Sequence, residues 1–458
     1  MISLENLVKH QHSYFETGKT LDVGFRLRRL CQLERAIRRY EKALLEALKK
    51  DLGKSYTESY MTEIYLVLSE ISYIKKRLRL WNAKKPVISS VMQFPGSSWV
   101  YREPYGTVLI MSPWNYPFQL TFSPLAGAIA AGNCVVVKPS ELSPAVSEVM
   151  ARMLEEIFPK YYVAAVCGEV DISKKLLEQP FDYIFYTGGG RVGKIVMEKA
   201  AEHLTPVSLE LGGKSPCIVD ETADIKTAAR RILWGKCLNS GQTCVAPDYV
   251  LVNRKVKGAL LVEMKKAIED FYGFEPLKKE QWPKMINKAH YDRVKKFLKD
   301  GRIVCGGRTD EAELKIEPAV LTDVGADSGV MQEEIFGPVL PVIGVDSVGE
   351  AVRFIKTKER PLALYMFSEN KAACEYVIKH CCFGGGCINE TVLHIVSHTM
   401  PFGGTGGSGM GAYHGKYSFD TFSREKSILK KSSRPDIFAR YPNWWEAGDE
   451  ILKKTILK

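Results

Sequence analysis

Three short segments of the chain carry the residue types best suited to chemistry, and the first is a glycine-rich turn. The run YIFYTGGGRVGK places Gly188, Gly190 and Gly193 after an apolar run, in the spacing GxGxxG. Glycines let a backbone approach a ligand closely, and the N-terminus of the following helix offers N–H groups and positive potential to a pyrophosphate. We therefore predict a dinucleotide cofactor at Gly188, Gly189 and Gly193. A tight turn without a ligand is the alternative.

The second segment, VVVKPSE, ends an apolar run with a lysine and a carboxylate. Lys138 is its last residue before a proline, and Glu141 follows three residues later. Both side chains would leave the carboxyl edge of a sheet, where they suit the two hydroxyls of an adenosine ribose. A negative Glu141 would repel a 2′-phosphate by about 1 kcal/mol at 4 Å in water. The pair favours NAD as cofactor and leaves NADP as an alternative.

The third segment, NSGQTCVAP, surrounds one thiol, that of Cys244, with small and polar residues. The chain has 11 cysteines, an odd number without CxxC or zinc-ligand spacing, so we expect reduced thiols, most of them buried, and no metal site. At the ordinary thiol pKa near 8.5 a few per cent is thiolate at neutral pH, and thiolate is a strong nucleophile.

Glu210 has two interpretations. It lies about twenty residues beyond the glycine turn, where a Rossmann fingerprint carries a ribose-binding carboxylate. That fingerprint belongs in the first strand–helix turn of such a sheet, however, whereas here it follows the fourth predicted strand. The spacing alone leaves the role of Glu210 open.

The elements that must position these residues alternate between strands and helices. Short β-branched runs recur from residue 106 and are separated by helical patterns, which predicts an α/β fold with a doubly wound parallel sheet. A second α/β series follows LELGGK, and residues 85–105 have hairpin character. We predict a dinucleotide-binding domain at 1–84 and 106–212, a catalytic domain at 213–407, and a small β-arm at 85–105 and 415–435.

Composition excludes several classes of protein. The 458 residues allow two or three domains, and no run has the length of a membrane span or a secretory signal, so a cytoplasmic location is expected. The net charge of +11 comes from basic residues interleaved with acids, which indicates solvated helix faces and not nucleic-acid binding. One such helix would bury the stripe Leu30, Leu33, Ile37, Tyr40, Leu44 and Leu48 and stop at Gly53.

Seven motifs, in this order, are similar to those of the aldehyde dehydrogenase superfamily. They are SPWNYP, VVVKPSE, YTGGGRVGK, LELGGKSP, NSGQTCVAPDY, EEIFGPV and PFGGTGGSGMGAYHGKYSF, and they extend over nearly the whole chain. The ending GAYHGKYSFDTFS resembles the short class-3 branch. That branch implies medium- or long-chain aliphatic or aromatic aldehydes as substrates and a homodimer assembled through the arm.

The resemblance implies a role for each matched residue. Cys244 would be the nucleophile, Asn115 the amide that binds the oxyanion, and Glu210 the general base, which leaves the ribose to Lys138 and Glu141. An aldehyde can lose hydride only after its carbonyl carbon becomes tetrahedral, and the resulting thioester then needs an activated water.

Further matched positions belong to the cofactor and the substrate. Glu334 would hold the nicotinamide ribose and Phe336 would flank the nicotinamide ring. Tyr116, Trp234, His394 and Phe402 are candidates for the aldehyde tunnel or for core packing, and Lys194 and Lys214 for structural roles. The chain departs from the family at Gly189 and Gly190, where a polar pair is more usual, and the extra glycines predict weaker cofactor binding.

Alternatives from other classes have specific tests. A CoA-acylating reductase would lack a water-activating glutamate and would form acyl-CoA. A non-catalytic binding protein would produce no aldehyde-dependent NADH. A cysteine hydrolase needs a histidine base, and none of the 8 histidines lies in a partner motif. The tail after residue 432 has apolar residues on one side of a short helix (Trp444, Trp445, Ile451, Leu452, Ile456), which predicts packing against protein, with peripheral membrane contact as the alternative.

Overall fold

A computed structural model describes residues 3–90, 93–436 and 441–442. The prediction for the tail therefore lies outside the described residues. The helices are α1 Leu4–Glu16, α2 Val23–Leu52, α3 Tyr56–Ser59, α4 Tyr65–Trp81, α5 Gln119–Ala131, α6 Pro144–Ile157, α7 Val170–Leu177, α8 Gly190–Glu202, α9 Ile225–Cys237, α10 Arg254–Tyr272, α11 Lys288–Phe297, α12 Gly329–Gln332, α13 Val348–Lys356, α14 Lys371–His380 and α15 Lys416–Thr421.

The described residues form strands in the β-branched and aromatic runs that the sequence predicts from residue 106, and further strands, most of them short, outside those runs. The strands are β1 Lys85–Val87, β2 Gly96–Pro104, β3 Thr107–Met111, β4 Cys134–Lys138, β5 Val163–Ala165, β6 Tyr183–Thr187, β7 Val207–Glu210, β8 Pro216–Val219, β9 Tyr249–Asn253, β10 Arg302–Cys305, β11 Thr309–Asp310, β12 Lys315–Ile316, β13 Ala319–Thr322, β14 Val339–Val345, β15 Ala363–Phe367, β16 Gly385–Ile388, β17 Gly409–Met410 and β18 Ser423–Lys431.

Two large sheets confirm the predicted α/β fold with parallel strands. The first has the order β17-β7-β6-β3-β4-β5, in which β7 to β5 are parallel and β17 pairs antiparallel with β7. The second has the order β10-β13-β14-β9-β8-β15-β16, and β10 is its antiparallel edge. Strands β3, β4 and β6 are buried throughout, as expected for a sheet covered on both faces.

The long helix α2 shows how the sequence pattern produces burial. Leu30, Leu33, Ile37, Leu44 and Leu48 are fully buried, and the helix ends where Gly53 adopts φ 69°. The leucine and isoleucine positions of the stripe therefore face the core as predicted, whereas Tyr40 is only partly buried and its hydroxyl donates to Glu156.

Two compact units emerge from the described residues. The larger contains residues up to Trp81 together with Pro104–Ser423 and holds both large sheets. The smaller, formed by the described residues of 82–103 and of the segment that begins at 424, contains the sheet β1-β2-β18, in which Glu103 pairs with Arg424 and Lys426. The predicted domain boundaries and the role of the arm in assembly stay predictions. Within the described residues no helix combines the length and the apolar character that crossing a bilayer requires.

Candidate active site

Two adjoining cavities open at the carboxyl ends of the first sheet's strands. One has a volume of about 320 Å³ and includes the ends of β6 and β7, and the other, of about 280 Å³, includes the ends of β3 and β4. They share Pro113, Trp114, Thr187, Gly188 and Gly189. A long ligand could therefore extend from one cavity into the other past the glycine turn.

The larger cavity brings together the three residues predicted to carry the chemistry. Asn115 comes from the loop after β3, Glu210 from the end of β7, and Cys244 from the loop after α9. Glu334 and Phe336 line the same cavity. Of the cysteines that the structure describes, Cys244 is the one that lines either cavity, which distinguishes it from the other ten.

The loop that carries Cys244 is built on a left-handed turn. Asn239, Ser240 and Gly241 have φ values of 50°, 53° and 75°, a conformation that costs a non-glycine residue about 1–2 kcal/mol. Gly241 cannot be replaced easily, because a Cβ there would lie 2.2 Å from the carbonyl oxygen of Gly337. The turn places the Gln242 carbonyl 3.0 Å from Asn115 Nδ2, which donates to it.

The Cys244 thiol is partly buried beside two carboxyl groups. Burial raises its pKa to about 12, and the nearby Glu334 and Glu210 contribute in the same direction. Because the thiolate is disfavoured here, a cation in the cavity would favour the reactive form.

Glu210 is buried, with 2% of its surface exposed, and neither carboxyl oxygen has a hydrogen-bond partner among the described residues. Burial holds the pKa of this carboxyl well above its ordinary value of 4.5. Its backbone is fixed by the Gly188 N–H, which donates to the Glu210 carbonyl at 2.9 Å, and by β17 on the opposite side. Glu210 is thus a rigidly placed carboxyl whose oxygens are left for a ligand or a water.

Glu334 and Phe336 form another wall of the larger cavity. A Cβ on Gly212 would lie 2.0 Å from a Glu334 carboxyl oxygen, so only glycine allows this approach. Burial and the charge of Asp248 raise the pKa of Glu334 to about 8. The Phe336 ring packs edge-on against Trp114, with centroids 5.4 Å apart and an interplanar angle of 81°.

The shape of the glycine turn fits a dinucleotide. A Cβ at Gly188 would collide with Tyr186 Oη at 2.2 Å, whereas a Cβ at Gly189 or Gly190 would meet nothing within 4 Å. Helix α8 begins here without a side-chain cap, and Gly189 and Val192 at its start line the smaller cavity. Lys138 Nζ donates to Glu141 at 3.0 Å in the smaller cavity, which places both predicted ribose ligands there.

Some predicted residues lie elsewhere. Among the described residues Gly193 lines neither cavity: a Cβ there would lie 2.8 Å from Leu211 Cδ2, so this glycine permits close helix–strand packing. Of the four tunnel candidates, Phe402 lines the larger cavity, while Tyr116, Trp234 and His394 are not among its described lining residues.

Lys214 has a structural position. Its Nζ pairs with Asp248 and donates to the carbonyls of Val330 at 2.8 Å and Glu333 at 2.9 Å. These contacts hold the segment that precedes Glu334.

Sequence reasoning missed part of the cavity wall. Trp114, Leu120 and Leu362 supply apolar surface, and Arg293 donates to the carbonyls of Glu334 at 3.1 Å and Ile335 at 2.8 Å. The first two flank Asn115 in PWNYPFQL, a position that could have identified them. Arg293 stands in an ordinary amphipathic helix, which gives no such signal.

The chain belongs to the aldehyde dehydrogenase family, whose model matches residues 3–428. Enzymes of this family oxidise aldehydes with NAD(P), and the predictions of the family, the fold, the enzyme class and the reaction are confirmed.

Relatives match over nearly the full length. The chain is 49% identical over 424 residues to the 4,4'-diaponeurosporen-aldehyde dehydrogenase of Staphylococcus aureus, covering 92% of each protein. It is 44% identical over 444 residues to the dimeric NADP-preferring aldehyde dehydrogenase of Rattus norvegicus, covering 96% of this chain and 98% of the relative. A solved structure of Staphylococcus aureus AldH in a substrate-bound state matches with a TM-score of 0.97, 46% identity and 99% coverage of both chains.

Proposed function

We propose that this enzyme oxidises apolar aldehydes, with Cys244 as nucleophile, Asn115 as oxyanion donor and Glu210 as general base. The observation that supports this most is the convergence of the three side chains on one cavity, where Glu210 is buried without a protein partner. A carboxyl kept free of hydrogen bonds costs stability, and activation of a water is a use that accounts for the cost.

In the first step the Cys244 sulfur bonds to the carbonyl carbon, the thiol proton passes to solvent, and the carbonyl oxygen becomes an anion. Asn115 Nδ2 donates to this oxygen, together with the backbone N–H of Cys244. The adduct carbon must then lose a hydride to become a thioester, and an oxidised dinucleotide, when bound, would supply the hydride acceptor and a cationic ring. Phe336 fixes the side from which the ring can approach the adduct.

In the second step Glu210 takes a proton from a water whose oxygen attacks the thioester carbon. The carbon–sulfur bond breaks, the sulfur leaves as thiolate, and the acid product departs. The raised pKa makes the ionised Glu210 a stronger base than an ordinary carboxylate, and because only this ionised form can accept the proton, the step should become faster as the pH rises toward that pKa.

NAD is proposed as the preferred dinucleotide. Lys138 and Glu141 suit two ribose hydroxyls, and a 2′-phosphate would lie beside the Glu141 carboxylate. The rat relative is named NADP-preferring, so the ratio of kcat/KM values for the two dinucleotides is the deciding measurement.

The proposed substrates are medium- or long-chain aliphatic and aromatic aldehydes. Trp114, Leu120, Leu362 and Phe402 give the cavity an apolar wall, which gains about 0.8 kcal/mol from each buried methylene. The staphylococcal relative is named for a diaponeurosporen aldehyde. A homodimer that pairs through the arm, and a cytoplasmic location, complete the proposal.

The test is the rate of NADH formation by Cys244→Ser, with Cys387→Ser as the matched control. Cys387 is also partly buried but lines neither cavity among the described residues. We expect Cys244→Ser to be inactive and Cys387→Ser to retain the parent rate on a panel of aldehydes of rising chain length. Parent activity in Cys244→Ser would overturn the proposal.

A further inference from the structure

The segment from Lys54 to Glu63, between α2 and α4, contains a buried ion pair that the reaction itself does not use. Lys54 Nζ lies 2.7 Å from Glu63 Oε1, and both side chains have 0% exposure. Burying two charges costs several kcal/mol each before their attraction is counted. Packing alone does not account for a buried pair with this energetic cost.

Glu63 caps the helix that follows the Asn115 loop. Its Oε2 accepts hydrogen bonds from the backbone N–H groups of Phe118 and Gln119, each at 3.0 Å, where α5 begins without a side-chain cap of its own. Glu63 sits in a π-helical turn, Tyr60–Ile64, an irregularity that often accompanies functional sites. The carboxylate therefore fixes the end of the Asn115 loop.

Lys54 holds the centre of the same loop. Its ammonium donates to the Asn115 carbonyl oxygen at 2.9 Å and lies 3.8 Å from the centroid of the Tyr116 ring. The Tyr116 hydroxyl in turn lies 2.6 Å from Thr243 Oγ1, next to the nucleophile. Lys54 therefore contacts the Asn115 loop directly and, through Tyr116, the loop that carries Cys244.

The thiol loop is attached to the same segment by a second route. Glu58 accepts from the backbone N–H of Asn239 at 2.6 Å, and Asn239 Nδ2 donates to the Asn115 carbonyl at 2.7 Å. The Asn115 carbonyl thus receives two donors, one from each side. The two loops are hydrogen-bonded to each other and to residues 54–63.

We propose that Lys54 and Glu63 are positioning residues for the oxyanion: their buried pair holds the Asn115 loop so that Nδ2 points at the carbonyl oxygen of the adduct. This rests on the proposed function, because it assumes that Asn115 binds the oxyanion. A misplacement of about 1 Å in such a donor can cost on the order of 10²-fold in rate. A satisfied ion pair resists that displacement better than a neutral contact.

The experiment is a double-mutant cycle between Lys54→Met and Asn115→Ala, read as the first-turnover rate of NADH formation. Asn115→Ala should lower that rate by about 10²–10³-fold. Lys54→Met should lower it by about 10- to 100-fold in the parent, and by less than about 2-fold in the Asn115→Ala background. The NAD dissociation constant should be unchanged in both variants.

The outcomes separate the two proposals. If Asn115→Ala keeps the parent rate, the assigned role of Asn115 is wrong, and the positioning role is wrong with it. If Asn115→Ala is slow and Lys54→Met slows both backgrounds equally, only the positioning role is overturned. An unchanged rate in Lys54→Met alone also overturns it.

Glu63→Gln provides a second variant if Lys54→Met fails to fold. It preserves the shape of the side chain and one oxygen acceptor for Lys54, while its NH₂ group faces the N–H groups of Phe118 and Gln119, so it should loosen the Asn115 loop and show the same non-additivity with Asn115→Ala. Glu317→Gln is the matched control, because Glu317 is buried and paired with Arg308 but lines neither cavity among the described residues. Its first-turnover rate should equal the parent's. A similar loss in Glu317→Gln would make the effect general destabilisation.

Discussion

Two buried carboxyl groups near the cavity differ in their surroundings. Glu63 receives three donors, one ammonium and two backbone N–H groups, while Glu210 has no hydrogen-bond partner among the described residues. The starts of two helices differ in the same way: α5 is capped by Glu63, and α8 begins at Gly190 with no side-chain cap. The residues around Glu63 are satisfied by the protein itself, whereas those around Glu210 and α8 are left for other molecules.

The two carboxyl groups therefore suit different roles: Glu63 a structural one and Glu210 a catalytic one. A charge fully paired in the interior cannot exchange protons with a substrate without breaking its pair, so it suits a fixed structural position. An unpaired carboxyl and an uncapped helix terminus are costly by themselves and gain partners only when ligand and water arrive.

The largest effect is expected for Glu210→Gln on turnover. The amide cannot accept the proton of the attacking water, so steady-state kcat should fall by about 10²–10⁴-fold. The first turnover needs no base for water and should persist as a burst of one NADH per site. Rapid-mixing absorbance at the NADH band measures both phases.

Glu141→Gln is the matched control for that experiment. It should weaken NAD binding without stalling the acyl-enzyme, since Glu141 lies in the smaller cavity beside Lys138. If Glu210→Gln instead lost NAD affinity and kept its steady-state rate per bound NAD, Glu210 would be a ribose ligand.

Glu63→Leu should destabilise the fold by about 3–5 kcal/mol, because it leaves the Lys54 ammonium buried without its counter-charge. Urea unfolding followed by circular dichroism at pH 7.5 measures this. The double variant with Lys54→Met should recover much of the loss, since it removes both charges. A double variant as unstable as Glu63→Leu would show that packing and not charge accounts for the loss.

Glu210→Gln should stabilise the folded protein at alkaline pH, whereas Glu63→Leu destabilises it. Because the folded pKa of Glu210 is raised, the native protein keeps a proton that the unfolded chain releases above pH 4.5. Stability from this group therefore falls by about 1.4 kcal/mol per pH unit from 4.5 up to the folded pKa. The amide also lacks partners, at a cost of about 1–3 kcal/mol that offsets part of the gain.

The net expectation is a melting temperature for Glu210→Gln that exceeds the parent's at pH 8, with the difference shrinking toward pH 5. The measurement is thermal unfolding of both proteins across this pH range. A difference that does not vary with pH would mean that Glu210 is ionised in the folded protein.

The sequence predicted the proposed catalytic residues but not the buried Lys54–Glu63 pair that contacts their loops. Cys244, Glu210 and Asn115 stand in short motifs, and β-branched runs mark the strands that end beside them. Lys54 acts on Asn115 through a contact between residues 61 positions apart. No local period encodes such a hydrogen bond, since it depends on how a helix packs against a loop.

The glycine turn also shows what a sequence pattern cannot predict, namely which residues face a ligand. The spacing GxGxxG placed Gly188 and Gly193 in one group, yet they act differently in the structure. Gly188 lines both cavities, and Gly193 lets α8 pack against Leu211. A pattern of residues at fixed spacing gives the turn, while the neighbours across the fold decide which glycine faces a ligand.

The smallest effect is expected at the uncapped start of α8. Gly189 has φ −75° and ψ 146°, a conformation open to any residue, and a side chain there meets nothing within 4 Å. Gly189→Ser would reduce the conformational freedom that the turn loses when the cofactor binds and would add a hydroxyl that can donate to a phosphate, for a gain of about 0.4–1 kcal/mol. The NAD dissociation constant should fall about 2- to 5-fold, measured by fluorescence titration. Gly325→Ser, at another glycine with open space around it, should leave the constant unchanged. If Gly189→Ser also leaves it unchanged, the glycine turn is already ordered, and the missing side chain at residue 189 does not weaken cofactor binding.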